Sequence, residues 1–428
     1  MNTPIHDFLV GYAESGAVRC HMPGAKGKTY PFDITEIGGA DSLFESSGII
    51  RQSEENAAQL FRAYKTLYSC GGSTLAIQTM LALAKAFGKG KNRITASRFC
   101  HKSFVCTCAL LGLEIDWVYP SEYLSAKLDA DSVKRKIKSD TAAVFIQSVD
   151  YYGGECDISA ISRVCRESGV FLFVDNAHGA YKVFDGTHPL LLGADMTADS
   201  AHKTLPCITG GAYLHLADSV FESRAKDIMS AFGSSSPSYL ILDSLDLCNR
   251  HISEEKMRAE SAFNAVKNLK AQLISKGFRL FDSDPVRITV DACAAGYSGF
   301  ELSDMLRRRR LECEYADERY VVLLFSTVID DEECSKVYDI FDTVALRDEI
   351  FFQPYAFLEA EQKMPIKDAF FAEQEIVALE NAAGRICGGI SAPCPPCIPA
   401  VMPGELISEA YVRLLMRFGA ESISTVKR

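Results

Sequence analysis

The sequence predicts an α/β protein: a large domain on a mostly parallel sheet covered by helices on both faces, followed by a smaller α+β unit. Three observations predict it. From about residue 93 onward, short apolar strand patterns alternate with helical patterns, as a parallel sheet with crossover helices requires. Residues able to do chemistry gather where those strands end, which is where ligands sit in such sheets. A long helical stretch over about 237–276 then separates this pattern from a second, sparser one.

Each element has its reason. Residues 1–50 hold turn-rich pieces such as His21-Met22-Pro23-Gly24 and no long amphipathic pattern, so an extended arm or lid is expected there. A helix is expected over 53–64, then a short apolar stretch ending at Cys70-Gly71-Gly72-Ser73-Thr74. Ile77, Met80, Leu81, Ala84 and Phe87 recur at helical spacing, and Ser73 or Thr74 can cap that helix. Strands are expected over 93–96, 114–119, 142–149, 170–174, 196–201 and 211–216, with helices over 103–111, 132–138 and 158–168. The second pattern predicts strands over 286–291 and 320–326 and helices over 299–310 and 331–341. Further helices are expected around 374–381 and over 404–418, with a Pro/Cys-rich loop over 392–403 between them. The expected division is an arm over 1–50, a cofactor-binding large domain over 51–283 and a small α+β domain over 284–428.

Composition narrows the function classes. With 48% hydrophobic and 24% charged residues, the chain is not built for disorder. A net charge of −11 argues against a nucleic-acid binder and suits a soluble enzyme. No apolar run approaches the ~18 residues of a membrane helix. The start, Met1-Asn2-Thr3-Pro4-Ile5-His6-Asp7, lacks the basic and apolar regions of a signal peptide, so a cytoplasmic location is expected. The 15 scattered cysteines read as reduced, buried thiols. Cys100-His101 with Cys106 and Cys108 matches no structural zinc spacing, and no metal is expected. Cys394-Pro395-Pro396-Cys397 has redox-motif spacing but lies in a proline-rich loop, not at a strand-to-helix turn, and reads as structural.

Two segments carry the chemistry. Asp199-Ser200-Ala201-His202-Lys203-Thr204-Leu205-Pro206 places a lysine among small and hydrogen-bonding residues just past a strand. Asp175-Asn176-Ala177-His178-Gly179-Ala180 follows the preceding strand, with Asp175 standing 28 residues before Lys203. A lysine so placed can form a Schiff base with an aldehyde cofactor, and an aspartate can keep a pyridine nitrogen protonated. Together they read as a pyridoxal phosphate (PLP) site. A surface lysine is the plain alternative, hard to reconcile with neighbours as apolar as Ala201, Leu205 and Pro206. Asp175 can equally cap the next turn, with His178 satisfied by backbone. Gly71-Gly72-Ser73-Thr74 reads as a phosphate cradle at a helix start or as an ordinary N-cap. Ser200 and His202 can hold the phosphate, and His101 can stack on a flat ring. His6, His21, His188, His215 and His251 show no pairing that points to catalysis or metal.

Taken together in order and spacing, the segments resemble the Orn/Lys/Arg decarboxylase family over nearly the whole chain. The resemblance runs through His21-Met22-Pro23-Gly24, Gly72-Ser73-Thr74, Cys100-His101-Lys102-Ser103, the two segments above, Ser235-Ser236-Pro237-Ser238-Tyr239, Gly384-Arg385-Ile386 and Pro403-Gly404-Glu405. It implies an aspartate aminotransferase-like fold (fold type I), with a sheet of the seven-stranded type and a smaller C-terminal domain, in a short form without an N-terminal wing. It implies PLP as cofactor, Lys203 as its covalent anchor, Asp175 on the pyridine nitrogen and His101 stacked on the ring. Ser73, Thr74, Ser200 and His202 would hold the phosphate, with His178 beside cofactor and substrate. Ser236 lies in a segment that approaches the site of a partner subunit, in a homodimer or larger assembly with shared active sites. The implied reaction is decarboxylation of arginine, lysine or ornithine through Lys203, His178 and Asp175, feeding polyamine formation. Another fold-type-I PLP enzyme, such as an aminotransferase with Arg385 gripping the carboxylate, or a non-catalytic PLP-binding paralogue, are the alternatives.

This sequence departs from the family pattern at Leu75, where Gly is usual, Phe99 for Asn, Asn176 for Glu, Gly210 for Gln and Cys397 for Gly. None of these removes an expected cofactor contact; they bear on which amino acid is the substrate.

Overall fold

The computed structural model describes residues 1–120, 122, 124–355, 358–390 and 398–427. The Cys394–Cys397 motif and the Cys397 departure lie outside the described residues.

A helix, α1 (Pro4–Glu14), stands within the first 50 residues, where the sequence showed no amphipathic pattern. It has no side-chain cap of its own; the Ile5 and His6 N–H groups donate to Asp246 Oδ2 at 2.9 and 3.1 Å. A cap brought in from far along the chain leaves no local signal. Next come α2 (Ile49–Phe61), β1 (Lys65–Ser69) and α3 (Gly72–Phe87). Since α3 opens at Gly72, Ser73 and Thr74 lie inside its first turn and do not cap it. Then β2 (Arg93–Ser97), α4 (Lys102–Leu111), β3 (Glu114–Val118), α5 (Ala130–Lys136), β4 (Thr141–Gln147), α6 (Ile158–Ser168) and β5 (Phe171–Asp175) alternate as the apolar pattern predicted.

The expected strand over 196–201 stops early. β6 (Met196–Asp199) ends, Ser200 stays extended, and Ala201–Thr204 forms a single helical turn, α7, that carries Lys203. After β7 (Ala212–Leu216) and α8 (Glu222–Ser230), the long helical stretch is two helices, α9 (Tyr239–Glu254) and α10 (Lys256–Lys276). Glu255, at φ −113° and ψ 29°, leaves helical geometry between them. The seven-stranded sheet has the order β1-β7-β6-β5-β4-β2-β3, and β7 runs antiparallel to both of its neighbours. The fold is therefore the α/β, mostly parallel arrangement the sequence predicted.

Beyond it, β8 (Arg287–Asp291), α11 (Gly299–Arg308), β9 (Tyr315–Ala316) and β10 (Tyr320–Leu324) give an antiparallel three-stranded sheet with a helix. α12 (Asp331–Asp342) and α13 (Ile366–Phe371) follow. The helix expected around 374–381 is instead a strand, β11 (Gln374–Ala378), leading into a short 3-10 turn at Leu379–Asn381. It pairs antiparallel with the last strand, β12 (Ser422–Val426), which follows α14 (Glu409–Arg417). Its side chains alternate between exposed and half-buried, a period of two that a partner distant in sequence enforces.

The chain forms two compact units, one of residues 1–87, 171–264 and 325–330, the other of 88–170, 265–324 and 331–428. In the first, α1, α2 and α9 close over an apolar core that includes Ile5, Leu9, Phe61, Tyr213, Leu242 and Leu245. In the second, Arg98 makes a two-pronged ion pair with Glu405, its Nη1 and Nη2 donating to Oε1 and Oε2 at 2.8 and 2.9 Å. Arg98 Nη2 also donates to Ala400 O at 2.8 Å, and Met402 N donates to Glu405 Oε2 at 2.7 Å. Only 2% and 1% of these side chains are exposed. Burial works against the arginine's charge, but the carboxylate outweighs it and holds the guanidinium above its usual pKa. Among the described residues, no helix is long and apolar enough to cross a membrane.

Candidate active site

Except for His101, every predicted site residue belongs to the first unit. β5 ends on Asp175, whose carboxyl is buried, and its Oδ1 accepts from Ala177 N at 3.1 Å. The turn-capping reading of Asp175 is thus realised, yet a carboxylate offers about four lone-pair sites and one cap does not exhaust them. The turn closes when Gly179 N donates to Asn176 O at 2.8 Å. A Cβ at Gly179 would stand 2.1 Å from Asn176 Oδ1, so a larger residue there would displace the Asn176 amide. That geometry carries His178 toward α7, where its Nε2 lies 2.9 Å from Lys203 Nζ. Lys203 is half-buried, on a helical turn opened by the buried Ser200. An amine paired with an imidazole at the ends of adjacent parallel strands can exchange a proton and act as a nucleophile.

Below that pair lies a group the sequence did not reveal. Asp199, the last residue of β6 and fully buried, accepts at Oδ2 from Asn176 Nδ2 (2.6 Å) and from His188 Nε2 (2.9 Å). Burial raises the carboxyl's pKa, but the His188 contact and its hydrogen bond outweigh burial and leave it below the usual range. His215 lies beside it, its Nδ1 2.7 Å from Thr66 Oγ1. Burial pushes the His215 pKa down to about 3 despite Asp199, so its ring is neutral. His188 and His215, read from the sequence as unpaired, are therefore grouped around one carboxylate. One ligand-type atom from each of the three residues falls within 4.8 Å of the others. Since His188 and Asn176 already donate to Asp199, the group is a hydrogen-bonded charge cluster. Its only sequence signal was an acidic residue directly before Ser200; the partners are brought in by the β5–β6 pairing.

The residues expected to hold a phosphate stand at the start of α3 and on α7. The first turn of α3 presents the N–H groups that a helix start leaves unbonded. Gly72, at φ +65°, opens it, and Gly72 N donates to Gly210 O at 2.9 Å. Gly210, where glutamine is usual, has φ +99°, a conformation that favours glycine. A cavity of about 250 Å³ lined by Gly71, Leu75, Gln78 and Ser236 opens beside this turn, so Leu75 and Ser236 share one space. Ser73 is half-buried there, and Thr74 is exposed. His202 donates from Nδ1 to Gly211 O at 3.0 Å, and burial lowers its pKa.

His101 belongs to the second unit, where its Nδ1 accepts from Ser103 N at 3.2 Å and caps α4. Phe99, two residues earlier, is buried. Arg385, the candidate carboxylate grip of an aminotransferase, is held by Glu375 on β11. The same unit has a cavity of about 470 Å³ with two buried carboxylates, Asp150 and Asp317, in its lining, which no motif revealed. Burial pushes the Asp150 pKa up to about 6.

PLP needs an amine to hold its aldehyde, a carboxylate for its ring nitrogen and a cradle for its phosphate. Lys203 beside His178, the buried Asp175, and the glycine-opened start of α3, joined to the Lys203 turn through Gly210 and Gly211, supply that donor set, so the residues fit the cofactor.

Comparison with known proteins agrees. Residues 3–289 match the Orn/Lys/Arg decarboxylase major domain, and residues 349–422 match its C-terminal domain. The chain is 29% identical to protein YaaO of Bacillus subtilis, across 97% of this chain and 94% of that one. It is 26% identical to an arginine decarboxylase of Halalkalibacterium halodurans, again across 97% and 94%. Among solved structures, the lysine decarboxylase LdcF of Francisella novicida superposes with a TM-score of 0.80 at 15% identity, covering 99% of this chain and 81% of that one. Lysine decarboxylase A of Pseudomonas aeruginosa gives 0.79 at 17%, covering 99% and 80%, and both structures show the shared fold. The chain belongs to the Orn/Lys/Arg decarboxylase family, whose members are PLP-dependent decarboxylases.

Proposed function

We propose that this chain removes the α-carboxylate of a basic amino acid, arginine, lysine or ornithine, with Lys203 as the covalent anchor of PLP. The observation that carries the reading is the 2.9 Å contact between Lys203 Nζ and His178 Nε2, on the turns that follow the adjacent parallel strands β6 and β5. PLP, when bound, supplies the electron sink that lets the bond to the departing CO₂ break. The chain's own residues do the rest. Asp175 would keep the ring nitrogen protonated, and Lys203 or His178 would return a proton to the α-carbon, releasing the amine. Ser73, Thr74, Ser200 and His202 would hold the phosphate, His101 would stack on the ring, and Ser236 would approach the cofactor site of a partner subunit. The relatives named arginine decarboxylases favour arginine. The same reading takes 1–50 as an arm, 51–283 as the cofactor-binding domain and 284–428 as the smaller one, in a cytoplasmic homodimer or larger assembly that feeds polyamine formation; the end of the major-domain match at residue 289 lies near the second boundary.

The test is CO₂ release from the PLP-loaded protein across arginine, lysine, ornithine and several neutral amino acids. Release from one basic substrate supports the reading and names the substrate. Release from none, or from neutral amino acids alone, contradicts it.

His202 gives a second test. With its Nδ1–H bound to Gly211 O, the neutral ring can only accept at Nε2, so it donates to a phosphate oxygen only as imidazolium. Its lowered pKa means that PLP must pull a proton onto it. Apparent PLP affinity should therefore fall as pH rises above the lowered pKa of His202, where the free ring is neutral and binding must take up a proton. Fluorescence titrations should show a shallower fall in His202→Gln; identical slopes would exclude His202 from the phosphate site.

A further inference from the structure

We propose that Asp199 is a positioning residue: its buried carboxylate holds the Asn176 side chain and so fixes the turn that aims His178 at Lys203. Asn176 is clamped twice by β6. Its N–H donates to Ala198 O at 2.9 Å, extending the β5–β6 ladder one residue past β5, and its side-chain amide then reaches Asp199 Oδ2 at 2.6 Å. A carboxylate acceptor makes this hydrogen bond shorter and stronger than one between neutral groups. With Asn176 held at both ends, the rest of the turn has little freedom. Ala177 N is tied to Asp175 Oδ1, Gly179 N to Asn176 O, and the Asn176 side chain fills the space a Cβ on residue 179 would need. His178 sits between these ties, its Nε2 at Lys203.

Asp199 is suited to this task. Its strand lies between β5 and β7, and the residue itself is fully buried. His188 shares the same carboxylate oxygen at 2.9 Å and supports the charge, while the Phe61 ring packs with its centroid 4.3 Å from that of His215. Lys203 follows four residues later on the same connection, so one carboxylate links the strand end that carries the amine to the turn that carries its imidazole partner.

The consequence for the cofactor rests on the reading of Lys203 as its anchor; the tie itself does not. The test exchanges the two ends of the pair. Asn176→Asp sets two carboxylates against each other, where one must take up a proton or move away. Asn176→Asp with Asp199→Asn restores an amide facing a carboxylate, and the asparagine's carbonyl can still accept from His188. Two readouts are taken: hydrogen exchange of the 175–180 backbone relative to β2 in the second unit, and the rate at which PLP leaves the loaded protein. Exchange at the turn should quicken by about tenfold in Asn176→Asp with little change at β2, and return to within about threefold of wild type in the exchanged pair. PLP loss should follow the same order. Unchanged exchange in the single variant, equal acceleration at the turn and β2, or an exchanged pair no better than the single variant would each overturn the proposal. If wild type takes up no PLP, the functional reading fails, and hydrogen exchange alone still decides the tie.

Discussion

Lys203→Ala is expected to lose covalently held PLP and to lower CO₂ release by about 10³-fold or more, since in the proposed mechanism one substitution removes both the nucleophile that would hold the cofactor and a proton carrier. The residue sits half-buried on the single helical turn after β6, with its Nζ 2.9 Å from His178 Nε2. Truncation there costs no core packing, so the thermal midpoint of the PLP-free protein should stay close to wild type. The visible absorbance of the bound cofactor should disappear, and adding external amine should restore a small part of it. Lys203→Arg keeps the positive charge without a competent nucleophile, and should be as inactive as the alanine variant. A variant that keeps both absorbance and turnover would remove Lys203 from the chemistry.

The second large effect is on stability. Glu405→Gln is expected to cost about 3–5 kcal/mol, because it leaves the Arg98 guanidinium buried without a counter-charge. The pair is almost wholly enclosed, and Glu405 also accepts from Met402 N, so the damage reaches the 400–405 segment. Replacing both partners by apolar residues, as in Arg98→Met with Glu405→Leu, should be milder than Glu405→Gln alone, since no charge is then stranded. Denaturant titration of the three variants checks the order. A loss below about 1 kcal/mol in Glu405→Gln would show that water reaches the pair.

What could be read from the sequence, and what could not, follows the range of the interactions. α6 and β4 are written in local periodicity, an amphipathic stripe and an unbroken apolar run, and both appear within a residue or two of expectation. Asp175, His178 and Lys203 were legible because parallel sheets place chemistry at strand ends. α1 was not, because its cap is Asp246, and β11 was not, because its period is imposed by β12. The Asp199 cluster was missed for the same reason. His188, His215 and Asn176 reach one carboxylate only after β5, β6 and β7 have paired. Of the departures from the family pattern, Asn176 and Gly210 have local reasons, the Asp199 partner for the first and a φ of +99° for the second.

The central claim, that Lys203 anchors PLP in this chain, is tested most directly by borohydride reduction of the PLP-loaded protein, followed by peptide mapping by mass spectrometry. The account predicts one pyridoxyl group per chain, on the peptide containing Lys203. Label spread over surface lysines, or none at all after loading with excess PLP, would contradict it.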